Sequence, residues 1–143
     1  MKQTIFWVYK GLVWGILVTA LIQFFLAGLG AFEATDFMPH AIVGLLLVPA
    51  SLLLLLIAVV AGFVRALSWG RVGMTAALFA LMFIQMFLGG PMQDISLYVA
   101  ALHPVNGLIL LVLLYALVRG RSLSQLAEEG AEEQKAGTTQ RVR

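Results

Sequence analysis

The sequence predicts an all-α integral membrane protein, a four-helix bundle built from a 2+2 parallel repeat. The chain has 143 residues, of which 62% are hydrophobic and 11% are charged. A soluble domain of this size could not bury so many apolar side chains. Four apolar spans are expected at about residues 5–30, 40–63, 72–90 and 100–118, and about 20 helical residues cross a bilayer core. A repeated pattern of polar residues, described below, predicts the 2+2 arrangement.

The first span should begin near Ile5 and end at Gly28 or Gly30, because glycine loosens a helix. Lys2 precedes it as in a signal peptide, but the apolar stretch is longer than a signal peptide needs. There is also no clear small-x-small cleavage site before Glu33. We therefore expect the first span to be retained.

Prolines and glycines mark the ends of the other spans. Pro39 suits the first turn of the second helix, since its missing N–H would be unpaired there, and Pro49 could kink that helix. The Gly-Gly-Pro sequence at 89–91 should stop the third span. The fourth should start around residues 100–104 and end before Arg119.

The distribution of charge predicts the orientation. All nine basic residues fall at the N-terminus, in the second connection or after the fourth span, whereas the first and third connections contain only acidic charges. The positive-inside rule then places both termini in the cytoplasm. Residues 1–121 form the predicted membrane domain, and the polar residues 122–143 form a cytoplasmic tail expected to be disordered.

One polar pattern occurs in both halves of the chain. Residues 23–28 read QFFLAG and residues 85–90 read QMFLGG, and each stretch is followed at nearly the same distance by one of the two histidines. The first span thus corresponds to the third and the second to the fourth, which predicts a pseudo-twofold axis along the membrane normal. The repeated positions are Gln23 and Gln85, His40 and His103, and Gly44 and Gly107.

The paired histidines suggest a haem site. His40 and His103 lie at the outer ends of their predicted helices, where a twofold axis would direct both imidazoles to one point. Two neutral imidazoles can supply the axial ligands of a haem iron. Gly44 and Gly107, one turn further along the same faces, would leave room for the macrocycle. The alternative is two interfacial histidines with no cofactor.

The glutamines also have two interpretations. Gln23 and Gln85 could clasp neighbouring helices, since a polar group in a membrane needs a partner. They could instead support the site by hydrogen bonding a histidine Nδ1–H or a haem substituent. The remaining candidates are Asn106, Tyr98 and Gln93 as propionate partners, and Met38, Met86 and Met92 as replacement ligands or packing residues.

Several classes of function lack the residues they require. The chain has no cysteine, which excludes disulfides, thiolate metal sites and thiol catalysis. No carboxylate lies inside a predicted span, which disfavours a proton-coupled efflux pump. No triad, phosphate loop or metalloprotease motif is present. A nucleic-acid partner is not expected, because the chain has no exposed basic domain.

With these motifs, residues 5–118 resemble one half of the heme A synthase family, whose members join two four-helix halves. The resemblance implies that His40 and His103 hold a haem b near the outer face. This chain has Phe37 where the family has a glutamate, with Asp36 one residue earlier, and it lacks the outer cysteine pair. The haem-ligand roles are therefore carried over, but the oxygenation chemistry is not. The chain is also similar to small bacterial four-span proteins with the same Gln…Gly…His pattern.

These observations lead to one main prediction and two alternatives. The main one is a b-type cytochrome-like protein of the bacterial inner membrane, binding one haem b for electron transfer or haem handling. One alternative is a cofactor-free structural or assembly subunit of a membrane complex. The other is a haem-modifying enzyme that works as a dimer. The expected partners are the lipid bilayer and either a second copy or a larger respiratory or haem-pathway complex.

Overall fold

The computed structural model describes residues 1–90 and 95–120. Within those residues all regular structure is helical, which confirms the predicted all-α class. The helices are α1 (Lys2–Ala31), α2 (Met38–Phe63), α3 (Trp69–Gly89), α4 (Leu97–Ala100) and α5 (Leu102–Arg119). A single residue, Ala101, separates the short α4 from α5.

The helices have the length and surface of membrane spans. α1, α2, α3 and the stretch Leu97–Arg119 are each long and apolar enough to cross a bilayer. The outward faces are apolar as well, with Leu45 61% exposed and Leu46 62% exposed. A helix that is apolar on all sides is stable when both its faces meet protein or lipid. The chain is therefore a multi-pass membrane protein.

The four long helices form a closed ring. α1 packs on α2, α2 on α3, α3 on α5, and α5 back on α1, which leaves α1 diagonal to α3 and α2 diagonal to α5. Apolar side chains fill the centre, and Val13, Leu54, Leu78 and Leu114 are fully buried. The diagonal order matters for the site, because α2 and α5 both begin at the same end of the bundle.

α1 and α2 end in the same hydrogen-bonded turn, with Glu33 and Arg65 as the left-handed residues that follow them. α1 continues past both Gly28 and Gly30 to Ala31, and the left-handed residue after it is Glu33, with φ of 57°. The amide of Glu33 donates to Gly30 at 3.1 Å and that of Ala34 to Leu29 at 2.9 Å, which is a Schellman motif. The glycines therefore do not end the helix. Its last carbonyls are satisfied by amides that lie beyond Ala31.

α2 contains two prolines, one in its first turn and one in its interior. Pro39 lies in the first turn, as predicted, where a missing N–H leaves no hydrogen bond unmade. Pro49 lies inside the helix, which nevertheless continues to Phe63.

α3 starts at a Ser68 cap, whose hydroxyl accepts from the Arg71 amide at 3.4 Å. The polar tail, residues 122–143, lies outside the described residues.

Candidate functional site

The structure brings the two histidines together. His40 is the third residue of α2 and His103 the second residue of α5, so each lies at the beginning of one of the two diagonal helices. Their ring centroids are 5.9 Å apart and their planes cross at 65°. Both residues are half-buried. The pairing therefore connects opposite sides of the helix ring at one end of the bundle.

Each histidine is oriented by a backbone carbonyl of a neighbouring helix. His40 Nδ1 lies 3.1 Å from the carbonyl oxygen of Gln23 on α1, and His103 Nδ1 lies 3.1 Å from that of Gln85 on α3. A carbonyl can only accept a hydrogen bond, so Nδ1 must carry the proton in both rings. Nε2 of each neutral ring then keeps its lone pair. This is the arrangement by which proteins fix the tautomer of a metal-binding histidine.

The second half of the site forms a closed set of hydrogen bonds. Gln85 Nε2 donates to the backbone carbonyl of His103 at 2.9 Å. Asn106 Nδ2 donates to Gln85 Oε1 at 2.7 Å and to the carbonyl of Leu81 at 3.0 Å. The buried Asn106 amide thus supports Gln85, although the sequence suggested a propionate partner. Gln85 clasps α3 to α5 with its side chain and orients His103 with its backbone.

The first half of the site is less complete. Gln23 Oε1 is buried and has no hydrogen-bond partner among the described residues. In the other half, the equivalent atom is Gln85 Oε1, which accepts a hydrogen bond from Asn106, three residues after His103. The residue three after His40 is Val43, which has no donor to offer. A buried acceptor without a partner costs about 1–3 kcal/mol, so Gln23 is a local weak point.

The repeated glycines accommodate side chains in this structure. A Cβ on Gly44 would lie 2.5 Å from Gln23 Nε2. A Cβ on Gly107 would lie 3.2 Å from Phe24 Cζ and 3.5 Å from Gln85 Nε2. The space that the sequence suggested for a macrocycle is thus filled here by the two glutamine amides and Phe24. The glycines allow the glutamines to approach α2 and α5 closely.

A third glycine, Gly89, makes the closest approach to a histidine. A Cβ at this position would lie 2.5 Å from His103 Cε1 and 2.6 Å from Nδ1, so the imidazole rests directly on the α3 backbone. The sequence predicts Gly89 only as a helix stop. The repeat contains a further signal, because both halves have a small residue four positions after the glutamine, Ala27 in the first and Gly89 in the second.

The other predicted candidates are exposed or lie outside the described residues. Tyr98 is 92% exposed and Met38 is 60% exposed, so neither side chain is buried in the bundle. Met86 is 37% exposed. Met92 and Gln93 lie outside the described residues, so their predicted roles stay predictions.

The ligand count restricts the metal chemistry of the site. Within residues 1–90 and 95–120, no cluster of three or more His, Cys, Asp or Glu side chains could hold a metal ion. A structural zinc site needs four protein ligands. A haem iron needs only axial ligands from the protein, because the macrocycle supplies the rest. Two imidazoles alone are therefore too few for a structural zinc site, whereas a haem would take only axial ligands from the protein.

The spacing of the rings is also compatible with one shared metal. Two nitrogens that each bind a metal at about 2.0–2.1 Å lie about 4 Å apart on opposite sides of it. A metal shared by both rings would have to lie within the observed centroid separation of 5.9 Å.

One family comparison gives a match. A family of unknown function (DUF6220) matches residues 23–91, a segment that runs from Gln23 through α2 and α3 and includes His40 and Gln85 but not His103. Comparisons with curated proteins and with solved structures found no match.

Proposed function

We propose that this chain is a small b-type cytochrome-like membrane protein that holds one haem b between His40 and His103. The observation that carries the proposal is the pair of Nδ1 bonds, each 3.1 Å long, from the two histidines to the carbonyls of Gln23 and Gln85. These bonds prepare both Nε2 atoms to donate to iron. Ordinary interfacial histidines do not need a matched tautomer.

The residues of the chain would each have a defined role at such a site. The Gln23 and Gln85 carbonyls keep the rings in the Nε2-donating tautomer and increase their basicity as ligands. Gly89 keeps the α3 backbone in contact with the His103 ring. The bound haem would supply one-electron exchange at its iron, for electron transfer or haem handling. Apolar side chains of the bundle would limit the access of water.

The proposal also includes the repeat and the orientation. In the observed ring, α1 is diagonal to α3 and α2 to α5, which is the order that a twofold axis along the bundle requires. The equal histidine bonds in the two halves support the 2+2 repeat. The positive-inside rule places the histidine end on the outer side of a bacterial inner membrane and the termini in the cytoplasm.

A second function is favoured by a different observation. Gln85, His103 and Asn106 satisfy one another without any ligand, as helix-clasping residues would. In that case the chain is a cofactor-free structural or assembly subunit. The unpaired Gln23 Oε1 shows that the first half of the site is not a complete clasp within the described residues.

A haem spectrum separates the two functions. The full chain is produced with haem available, purified in mild detergent, and its reduced-minus-oxidised spectrum is recorded. We expect the narrow bands of a low-spin haem in the wild type, and the loss of most of this signal in His40→Ala and His103→Ala.

Gln85→Ala is the matched control for the histidine variants. It keeps the backbone carbonyl that orients His103, so the low-spin signal should shift but remain. Circular dichroism of each variant confirms that the bundle is folded. A wild type without haem, or full spectra in both folded histidine variants, would contradict the cytochrome proposal.

A further inference from the structure

Two basic side chains converge on one helix end, opposite the histidines. Lys10 Nζ, from α1, donates to the carbonyl of Val118, and Arg71 Nη2, from α3, donates to the carbonyl of Gly120 at 2.9 Å. Both carbonyls belong to the C-terminal turn of α5. Cations from two helices therefore meet at the end of a third.

The positive charge at this end is not balanced by the described residues. Lys2, Lys10, Arg65, Arg71 and Arg119 lie at this end, whereas the acidic side chains of the described residues, Glu33 and Asp36, lie in the connection at the opposite end. A helix C-terminus carries only about half a negative charge. Within the described residues, the helix end therefore offsets only part of the two positive charges at the α1–α3–α5 junction.

The two cations also retain unused hydrogen-bond donors. The contacts with α5 use one N–H of the Lys10 ammonium and one of the Arg71 guanidinium. An ammonium has three such donors and a guanidinium five. The α5 contacts hold both groups at one helix end, and each group has further N–H donors with which it could bind an anion. Phosphate oxygens are strong acceptors for such a pair.

The surroundings place this junction at the surface of the bilayer. Lys10 lies eight residues into α1, about 12 Å along the helix axis, and Ile5 and Phe6 on the preceding turns still pack against the core. Trp7 in the same stretch is 61% exposed, and Trp69 at the start of α3 is 57% exposed. Tryptophan is enriched where a helix crosses from hydrocarbon to headgroups.

We propose that Lys10 and Arg71 form the base of a binding site for the phosphate headgroup of an anionic phospholipid. The headgroup would accept hydrogen bonds from both cations, while its acyl chains lie along the apolar outer faces of α1 and α5. Basic pockets between transmembrane helices are known to bind anionic lipids in this way. The site is independent of the histidines and does not require the proposed haem.

Lipid-dependent stability of the purified full chain tests this site. Its thermal unfolding midpoint is measured in neutral detergent with increasing phosphatidylglycerol, phosphatidylcholine or inorganic phosphate. We expect phosphatidylglycerol to raise the midpoint and the other two to have little effect. Lys10→Gln and Arg71→Gln should each weaken the apparent affinity for phosphatidylglycerol about fivefold to tenfold, because each removes a charged donor.

Arg65→Gln is the matched control, since it removes the same charge from an exposed residue at the same end. It should keep nearly the wild-type affinity. Lys10→Arg should also bind, which separates loss of the site from damage to the fold. Equal weakening in Arg65→Gln would show diffuse attraction and overturn the site. An equal response to phosphatidylcholine would overturn its charge selectivity, and one to inorganic phosphate would show that the ligand is a soluble anion.

Discussion

Gln85 and His103 hold each other through two hydrogen bonds that cross between α3 and α5. The His103 ring donates Nδ1–H to the Gln85 carbonyl at 3.1 Å, and the Gln85 side chain donates to the His103 carbonyl at 2.9 Å. A single glutamine thus clasps two helices and orients an imidazole. Mutating its side chain removes only the first of these functions, because the carbonyl belongs to the backbone.

Replacing each glutamine with methionine should reveal the difference between the two halves. Gln85→Met removes the side-chain hydrogen bond to the His103 carbonyl and leaves one Asn106 N–H without a partner, so we expect a loss of about 1–3 kcal/mol in the free energy of unfolding. Gln23→Met removes a buried oxygen that lacks a partner in the described structure, so it should raise the free energy of unfolding by up to about 1–3 kcal/mol. Reversible unfolding in mixed micelles gives both values. Equal losses would contradict the asymmetry of the two halves.

Adding one methyl group at Gly89 should displace His103. A Cβ at this position would lie 2.5 Å from the ring, so Gly89→Ala must move the imidazole or the α3 backbone. We expect a loss of about 1–3 kcal/mol in stability and a weaker low-spin haem signal in the haem-loaded protein. Both can be followed on the same preparation.

The control for this experiment is Gly28→Ala. A Cβ on Gly28 would meet no atom of the described residues within 4 Å, and alanine favours a helix over glycine by about 1 kcal/mol. This variant should be neutral or slightly more stable, with an unchanged spectrum. A similar loss in both variants would show that the effect arises from helix glycines in general and not from the histidine.

The charge distribution predicts the topology. Because the basic residues lie at one end, a reporter fused after Arg143 should report the cytoplasm, and one inserted near Asp94 should report the outer side. Two reporters are needed, an enzyme active only outside and a fluorescent protein active only inside. The same location for both fusion sites would rule out four crossings between the N-terminus and the tail.

The helices could be predicted from the sequence because their cause is local. Apolar length is sufficient to define a membrane span, so the predicted start of the second span at 40 lies two residues from the observed Met38. The end of α1 was placed one to three residues too early, because the Schellman bonds around Glu33 depend on backbone geometry and not on a glycine. Helix ends are less well determined by composition than helix interiors.

The site was predictable only for residues that the repeat displays. His40 and His103 were paired through their register, and the structure brings their rings within 5.9 Å. The carbonyls that orient them could not be inferred, because every residue has a carbonyl and only packing selects one. The support that Asn106 gives to Gln85 also depends on the approach of α3 to α5, which the sequence alone does not specify.

The final prediction concerns the missing donor in the first half. Asn106 follows His103 by three residues and donates to Gln85 Oε1 at 2.7 Å. Val43 stands three residues after His40, so a structural repeat would place it beside Gln23. We expect Val43→Asn to donate to the unpaired Gln23 Oε1 and to raise the free energy of unfolding by about 1 kcal/mol.

A double-mutant cycle checks this contact directly. In a Gln23→Met background the acceptor is absent, so Val43→Asn should become destabilising, because the new amide would be half-buried without its partner. The difference between the two backgrounds, measured by unfolding in mixed micelles, is the energy of the new hydrogen bond. If Val43→Asn destabilises both backgrounds equally, Val43 does not face Gln23 and the two halves are not related by the repeat at this position.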